Sequence, residues 1–384
     1  MISRPGLKEA VGRAMARNPV TALLGPRQSG KTTLARDLMG NTRAAFFDLE
    51  HPTDLAALEN PMSALEPLRG RVVIDEVQRK PELFPILRVL ADRPRTPARF
   101  LLLGSASPEL VRGTSETLAG RIAFVEMTGF TLEEVGARKA DALWLRGGFP
   151  KSFLAKSEED SFAWRDDFVR TFLERDIPQL GISIPSLTLR RFWSMVAHFH
   201  GQIWNAAEFA RSLGNSEPTA RHYLDLLAGA FVLRVLPPWH ENLSKRQVKS
   251  PKIYVRDSGL LHNLLGVRTR RDVLGHPKYG ASWEGFAIEQ VLSVLGPRDA
   301  YFWSTHSGAE LDLLAFQKGR RLGFEFKTSE SPSMTKSMHV ALSDLKLDRL
   351  FVVYPGSKPF NLAPKVEALP ITALTEVLNA KRRG

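Results

Sequence analysis

The stretch Val20-Thr21-Ala22-Leu23-Leu24-Gly25-Pro26-Arg27-Gln28-Ser29-Gly30-Lys31-Thr32-Thr33 decides the fold. Its first five residues read as a buried strand, Gly25–Thr32 spell G-x-x-x-x-G-K-T, and residues 33–39 read as a helix. Backbone N–H groups of a glycine-rich turn surround phosphate oxygens only where no Cβ intrudes, and the helix N-terminus adds its positive dipole end. Lys31 is expected to reach the β- and γ-phosphates, and the Thr32 hydroxyl to ligate Mg²⁺. Gly25, Pro26, Arg27, Gln28, Ser29, Gly30, Lys31, Thr32 and Thr33 are therefore the expected nucleotide-binding residues, with ATP and Mg²⁺ as their ligands.

Outward from this loop, short β-prone apolar runs recur at residues 44–49, 71–76 and 99–103, separated by helical patterns at 53–58 and 82–92. Alternating strands and helices imply a parallel sheet covered on both faces, with ligands outside the carboxyl ends of its strands. Asp75-Glu76 ends one such strand: Asp75 is expected in the Mg²⁺ shell and Glu76 to polarise the attacking water. Ser105 follows the next strand, where it either senses the γ-phosphate or belongs to a capped turn, since Ser107-Pro108 is a good helix start. Arg121, after Gly120 and before the strand-like run 122–125, is either a finger reaching a neighbouring subunit's γ-phosphate or a surface arginine.

Composition bounds the rest. The 384 residues allow two to four domains, with an ordinary apolar content for a soluble globular protein. No run approaches the ~18–20 apolar residues of a membrane span, and residues 1–18 lack the long apolar region of a secretory signal. The absence of cysteine excludes disulfides, thiolate zinc sites and thiol catalysis, and fits a cytoplasmic protein. A net charge of +12 favours polyanionic partners. Residues 181–280 carry 14 Lys and Arg against 6 Asp and Glu, a surplus of 8 in one quarter of the chain.

The series GPRQSGKTT, FFDLE, VVIDEVQ, LLLGSAS and LAGRI, followed by LRGGFP (145–150), FLERDIP (172–178) and KSPKIYVRDSGL (249–260), resembles a prokaryotic family of AAA+-type ATPases. The resemblance runs along nearly the whole chain. It implies this ATPase core joined to a winged-helix region and a restriction-endonuclease-like C-terminal domain, with residues 135–185 as a helical lid. Arg146 or Arg175 would then report nucleotide state from that lid, or serve as structural ion-pair partners.

The basic quarter fits a winged helix. Residues 205–213 and 218–227 read as two helices joined by Gly214-Asn215-Ser216-Glu217, with Gly214 as a C-cap and Ser216 as an N-cap. Ala220, Tyr223, Leu224 and Leu227 follow the spacing of a buried face. Thr219, Arg221 and His222 are left exposed near the start of the second helix, where a recognition helix meets its groove. Residues 231–236 and 252–255 would be wing strands, with Lys245, Arg246, Lys249 and Lys252 lining the tip. His198 and His200 have no acidic partner at metal spacing and read as ordinary packed or surface residues.

At the end of the chain, residues 283–295 read as a helix bearing Glu284, and 301–304, 310–316 and 322–327 as three strands. Asp312 lies on the second strand and Glu325-x-Lys327 on the third, where period-2 geometry puts Glu325 and Lys327 on one face. An Asp and a Glu jointly hold Mg²⁺ against a scissile phosphate while a Lys stabilises charge. The arrangement resembles the PD-(D/E)xK nuclease motif, with Glu284 as the helix acid and Glu289 as the alternative. Residues 334–345 and 350–354 would complete this domain, and Lys381-Arg382-Arg383 a basic tail.

The expectation is therefore an α/β chain with four parts. These are a P-loop ATPase core (1–134), the lid (135–185), a winged-helix region (186–275) and a nuclease-like domain (276–384). The expected protein is a homo-oligomer, with a hexamer as one form, that binds duplex or branched DNA and no membrane, and remodels or translocates that DNA. The alternatives are an ATP-switched regulatory or defence protein and an ATP-licensed, Mg²⁺-dependent nuclease.

Overall fold

The computed structural model describes residues 2–40, 44–94, 98–105, 118–179, 184–242 and 244–383, the last without the side chains of 380–383. The helix expected from Ser107-Pro108 and the side chains of Lys381, Arg382 and Arg383 fall outside the described residues. Two units result, one of residues 1–129 with 225–232, the other of residues 130–224 with 233–384.

In the first unit, β1 (Val20–Leu24), β2 (Ala44–Asp48), β3 (Gly70–Asp75), β4 (Ala98–Gly104) and β5 (Ile122–Glu126) form one sheet in the order β2-β3-β4-β1-β5. Every pairing is parallel. Buried on both faces, β1 sends Val20, Ala22 and Leu24 into one apolar core and Leu23 into the other. Helices α1 (Pro5–Arg17) and α2 (Lys31–Met39) cover the Leu23 side through Val11, Met15, Leu34 and Ala35. Helix α3 (Leu83–Ala91) covers the opposite side with Leu83, Leu87 and Leu90. Truncating a side chain as enclosed as Leu23 costs about 2–5 kcal/mol, through lost transfer energy and the cavity left behind. This parallel five-stranded sheet, with its glycine loop between β1 and α2, is the arrangement of a P-loop NTPase.

The second unit is helical before it becomes a sheet. Helix α4 (Ala140–Arg146) and the Gly147-Gly148 turn meet the start of α9 (Ser258–Leu264) around the Asp257 carboxylate. That carboxylate accepts from Gly148 N at 2.7 Å and Leu260 N at 2.9 Å. Arg165, on α5 (Glu158–Thr171) and fully buried, donates to the Leu145 and Gly259 carbonyls at 3.0 and 2.9 Å. LRGGFP and the RDSGL end of the later string are thus two halves of one packed junction. Helices α6 (Ser186–His198), α7 (Ala206–Leu213) and α8 (Glu217–Gly229) meet through Phe192, Trp204, Phe209 and Tyr223, with ring centroids 4.3–6.1 Å apart. A small antiparallel sheet, β6 (Gln202–Ile203), β8 (Lys252–Val255) and β7 (Leu233–Leu236) in that order, accompanies them.

The C-terminal part carries α10 (Tyr279–Leu295) and a six-stranded sheet. Strands β9 (Ala300–Ser304), β10 (Glu310–Gln317) and β11 (Arg320–Phe326) are antiparallel. Strands β12 (Arg349–Tyr354) and β14 (Val366–Pro370) run parallel to β11, and β13 (Phe360–Ala363) closes that edge. Helix α11 (Lys336–Asp344) packs Met338 and Ala341 into the core beneath β10 and β12.

Candidate functional site

Two glycines shape the loop after β1. A Cβ on Gly25 would stand 2.0 Å from the Met127 carbonyl oxygen, so only glycine fits against the end of β5. Gly30 takes φ +97° at the start of α2, a backbone region that side chains disfavour. Lys31 is 5 % exposed, and its ammonium donates to the Gly25 and Pro26 carbonyls, each at 2.9 Å. Burial lowers its pKa to about 8, a fall only partly offset by the Glu76 and Asp75 carboxylates. The amine is held inside the loop, where phosphate oxygens can replace the two carbonyls.

The strand order brings the other groups to this loop. Strand β4 lies between β1 and β3, so the residue that follows β4, Ser105, falls between the loop and the end of β3. The Thr32 hydroxyl donates to Asp75 Oδ2 at 2.6 Å, which unites the two residues expected at Mg²⁺. Burial pushes the Asp75 carboxyl up from its ordinary value, and the Thr32 hydrogen bond opposes that rise. This hydroxyl and carboxylate suit a hard cation that takes its remaining ligands from phosphates and water.

Glu76 adopts φ +54°, ψ +44°, a left-handed conformation uncommon outside glycine and asparagine. It starts a short 3₁₀ turn, Val77–Arg79, that folds Gln78 back over it. The Gln78 amide donates to Glu76 Oε2 and, at 3.0 Å, to Ser105 Oγ, which itself lies 3.3 Å from that carboxylate oxygen. Gln78 Oε1 is buried and, among the described residues, accepts no hydrogen bond. Sequence reasoning missed Gln78; its only signal was a glutamine two positions past an acidic strand end. Beside the loop, Arg27 forms an ion pair with Glu50 at 2.5 Å.

Arg121 stands elsewhere. Its carbonyl accepts from Val20 N at 3.2 Å, so it sits at the amino end of β1, the whole strand away from the loop that follows Leu24. Five residues of strand span about 16 Å. Its guanidinium forks onto Asp92 at 2.6 and 2.9 Å. Arg121 therefore does not serve its own phosphate loop.

In the second unit, Gly214 ends α7 in the left-handed conformation, and the Ser216 hydroxyl accepts from Thr219 N at 3.3 Å. Ala220, Tyr223, Leu224 and Leu227 are buried. Arg221 and His222 are exposed, Arg221 with Glu217 3.8 Å away, while the Thr219 hydroxyl bonds that of Ser216 at 2.8 Å. Arg146 is an ion-pair partner of Glu158 at 2.9 Å, and Arg175 is exposed. His200 is buried and His198 exposed.

The expected wing tip needs correcting. The segment joining β7 to β8 lies along β9: Trp239 N donates to Phe302 O at 2.6 Å, Val248 N to Ser304 O at 3.0 Å, and His306 N to Arg246 O at 2.9 Å. Arg246 and Lys249 keep exposed side chains, whereas Lys245 reaches Asp344 at 2.6 Å. Lys252 is 5 % exposed, with its ammonium among Glu284, Glu310 and Asp312, so it does not stand at an exposed wing tip. Desolvation works against its charge, but these carboxylates outweigh it and hold its pKa above the ordinary value.

Of the two candidate helix acids, Glu289 is held between Arg234 and Arg256, largely enclosed, whereas Glu284 joins the motif residues. Asp312 Oδ2 accepts from Phe326 N at 3.0 Å, and Glu325 Oε2 from Lys327 Nζ at 2.8 Å. Burial pushes the Glu284 carboxyl up to about 7 and that of Glu325 to about 8, with the Asp312 charge adding to both. Among the described residues, no three His, Cys, Asp or Glu side chains are grouped to hold a metal ion. The cluster does not fit the divalent ion that the nuclease motif implies.

An AAA-domain family model matches residues 17–136, and two domains of unknown function (DUF8612 and DUF4143) match residues 137–271 and 279–374. Uncharacterized proteins of Mycobacterium bovis and Mycobacterium tuberculosis are each 53 % identical over 370 residues, spanning 96 % of this chain and 84 % of theirs. The chain belongs to their family of AAA-type ATPases. A Walker-type ATPase of Pyrococcus abyssi, 14 % identical, superposes with a TM-score of 0.50 over 69 % of this family member and 96 % of the archaeal chain. That likeness shows the fold. Among the described residues, no helix of this AAA-type protein is long and apolar enough to cross a membrane.

Proposed function

We propose that this protein is a Mg²⁺-dependent, oligomeric ATPase that binds duplex or branched DNA and uses ATP turnover to remodel it or move along it. The observation that carries the reading is the convergence of Lys31, the Thr32–Asp75 pair and the Glu76–Gln78–Ser105 group at the carboxyl ends of β1, β3 and β4. Mg²⁺, held by Thr32 and through water by Asp75, would neutralise phosphate charge and align the terminal phosphate. The backbone of Gly25–Thr33 cradles the phosphates, and the Lys31 ammonium leaves its two carbonyls for the β- and γ-oxygens. Glu76 accepts a proton from the attacking water once its carboxylate is released from Gln78. Ser105 touches the γ-phosphate or that water. Arg121, too far from its own loop, serves a neighbouring subunit, which makes assembly a condition of turnover.

DNA engagement rests on α7 and α8. The two helices are joined by the turn Gly214–Ser216, a three-stranded antiparallel sheet accompanies them, and Arg221 and His222 are exposed near the start of the second helix. We read residues 186–275 as a winged helix, with 1–134 the core, 135–185 the lid and 276–384 the nuclease-like domain. The test is ATP hydrolysis with and without duplex, single-stranded and junction DNA at modest salt. Stimulation by DNA supports the reading; DNA that neither binds nor changes turnover rejects it. Lys31→Ala should lose nucleotide binding, whereas Glu76→Gln should bind ATP without hydrolysing it. Equal loss of binding in both contradicts these roles.

A further inference from the structure

Four carboxylates, those of Glu284 on α10, Glu310 and Asp312 on β10 and Glu325 on β11, lie near one another in the C-terminal part. A divalent ion would need several of their oxygens aimed at one point, about 2.0–2.1 Å away for Mg²⁺. Each carboxylate is instead engaged by protein donors, two of them by one lysine. Glu284 accepts from the Tyr254 hydroxyl at 2.6 Å and Lys252 Nζ at 3.4 Å. Glu310 pairs with the same Lys252, Asp312 takes the Phe326 N–H, and Glu325 takes Lys327. The ammonium of Lys252 approaches two of the four acids and lies within the electrostatic reach of a third. Its stem is sealed in with it, and the ammonium sits 5.5 Å from the centre of the Phe302 ring. A second cation placed beside it would meet an ammonium that cannot retreat into solvent, and like charges at such range repel strongly in a low-dielectric interior.

We propose that Lys252 is the resident cation of this cluster, standing in place of a divalent ion, so that the nuclease-like domain neither holds a catalytic metal nor cleaves DNA. The inference rests on the nuclease-like reading of that domain and is independent of the ATPase site. Lys252 and Tyr254 both belong to β8, so the same contacts tie the small sheet to the acidic pocket. The cluster then serves as an ionic joint between the helix-turn-helix region and the C-terminal sheet.

The test is Mn²⁺ binding to the nucleotide-free, full-length protein, with free Mn²⁺ counted by its paramagnetic resonance. Comparison with Asp312→Asn cancels any ion held at the phosphate loop. Wild type and Asp312→Asn should bind equal amounts. Lys252→Met should gain one Mn²⁺ per chain and lose it again when combined with Asp312→Asn. The proposal is overturned if wild type holds one more ion than Asp312→Asn, or if it cuts duplex DNA with Mn²⁺ in an Asp312-dependent way. It is equally overturned if folded Lys252→Met gains no ion. Should Lys252→Met fail to fold, the wild-type comparison decides alone, with Glu325→Gln as its second reference. Loss of the ATPase reading would show in turnover and leave these ion counts untouched.

Discussion

Glu289→Gln removes the negative charge from between two arginines. Arg234 donates its Nη2 to Glu289 Oε2 at 3.0 Å, and Arg256 its Nε and Nη2 to the same oxygen at 3.2 and 3.1 Å, with all three side chains at most 13 % exposed. Burial alone would raise the Glu289 carboxyl, but the Arg234 and Arg256 guanidiniums outweigh it and bring the pKa from 4.5 to about 2. At about 1.4 kcal/mol per pKa unit, that fall contributes roughly 3 kcal/mol of folding stability. Breaking a buried pair by removing one partner costs about 3–5 kcal/mol, which agrees. Because the folded pKa is depressed, the contribution is complete above about 4.5 and is lost as pH falls toward 2. The assay is built into the chain: all seven tryptophans, at 144, 164, 193, 204, 239, 283 and 303, lie in the second unit. Urea unfolding followed by tryptophan fluorescence should show the variant's midpoint lower by about 1 M at pH 7, for a slope of ~3 kcal/mol per M. The gap between wild type and variant should shrink by more than half at pH 3. An unchanged midpoint at pH 7, or an equal gap at both pH values, refutes the reasoning.

Gln78→Ala should leave nucleotide affinity in place but change kcat for ATP by about tenfold or more, equivalent to ~1.4 kcal/mol of barrier; an unchanged kcat would remove Gln78 from the site. Arg221→Glu should weaken DNA binding and lower the salt slope of log affinity by about 1, and a fall in affinity without any change of slope would argue against phosphate contact. His200 and His262 are both buried, and burial is the main cause that holds their pKa values at about 3 and 4 against 6.5. Their neutral forms stabilise the fold fully above about pH 6.5, so tryptophan-detected melting should fall as pH drops from 6.5 toward 4 and then 3. A flat profile over that window contradicts the burial argument.

The sequence made the phosphate loop, its flanking strand and helix, and the Asp75-Glu76 strand end legible, because each is specified within a dozen residues by spacing and backbone chemistry. The turn Gly214–Ser216 was legible for the same reason, as cap residues act on their own neighbours. Lys252 was not. At the start of the strand 252–255 it reads as an exposed residue of a wing tip, and its burial depends on Glu284 and Glu310, 32 and 58 residues further along. Glu284 and Glu289 were indistinguishable by pattern, because Arg234 on β7 and Arg256 just after β8, both distant in sequence, decide between them. Gln78 escaped because a left-handed residue at Glu76 turns the chain locally, and nothing in the composition of VVIDEVQ announces that turn.

The long segment between β7 and β8 has a consequence for how this molecule can be divided. By pattern, a break near residue 276 looks clean. Yet β9 takes backbone partners from 238–248, and the acidic pocket takes its cation from Lys252, all upstream of that point. A fragment beginning at 276 would bare an edge strand ready to pair with another copy of itself and leave Glu284 and Glu310 without their lysine. The β7–β8 segment and the C-terminal sheet thus divide only together: a cut between them costs the sheet a paired edge and the acidic pocket its charge.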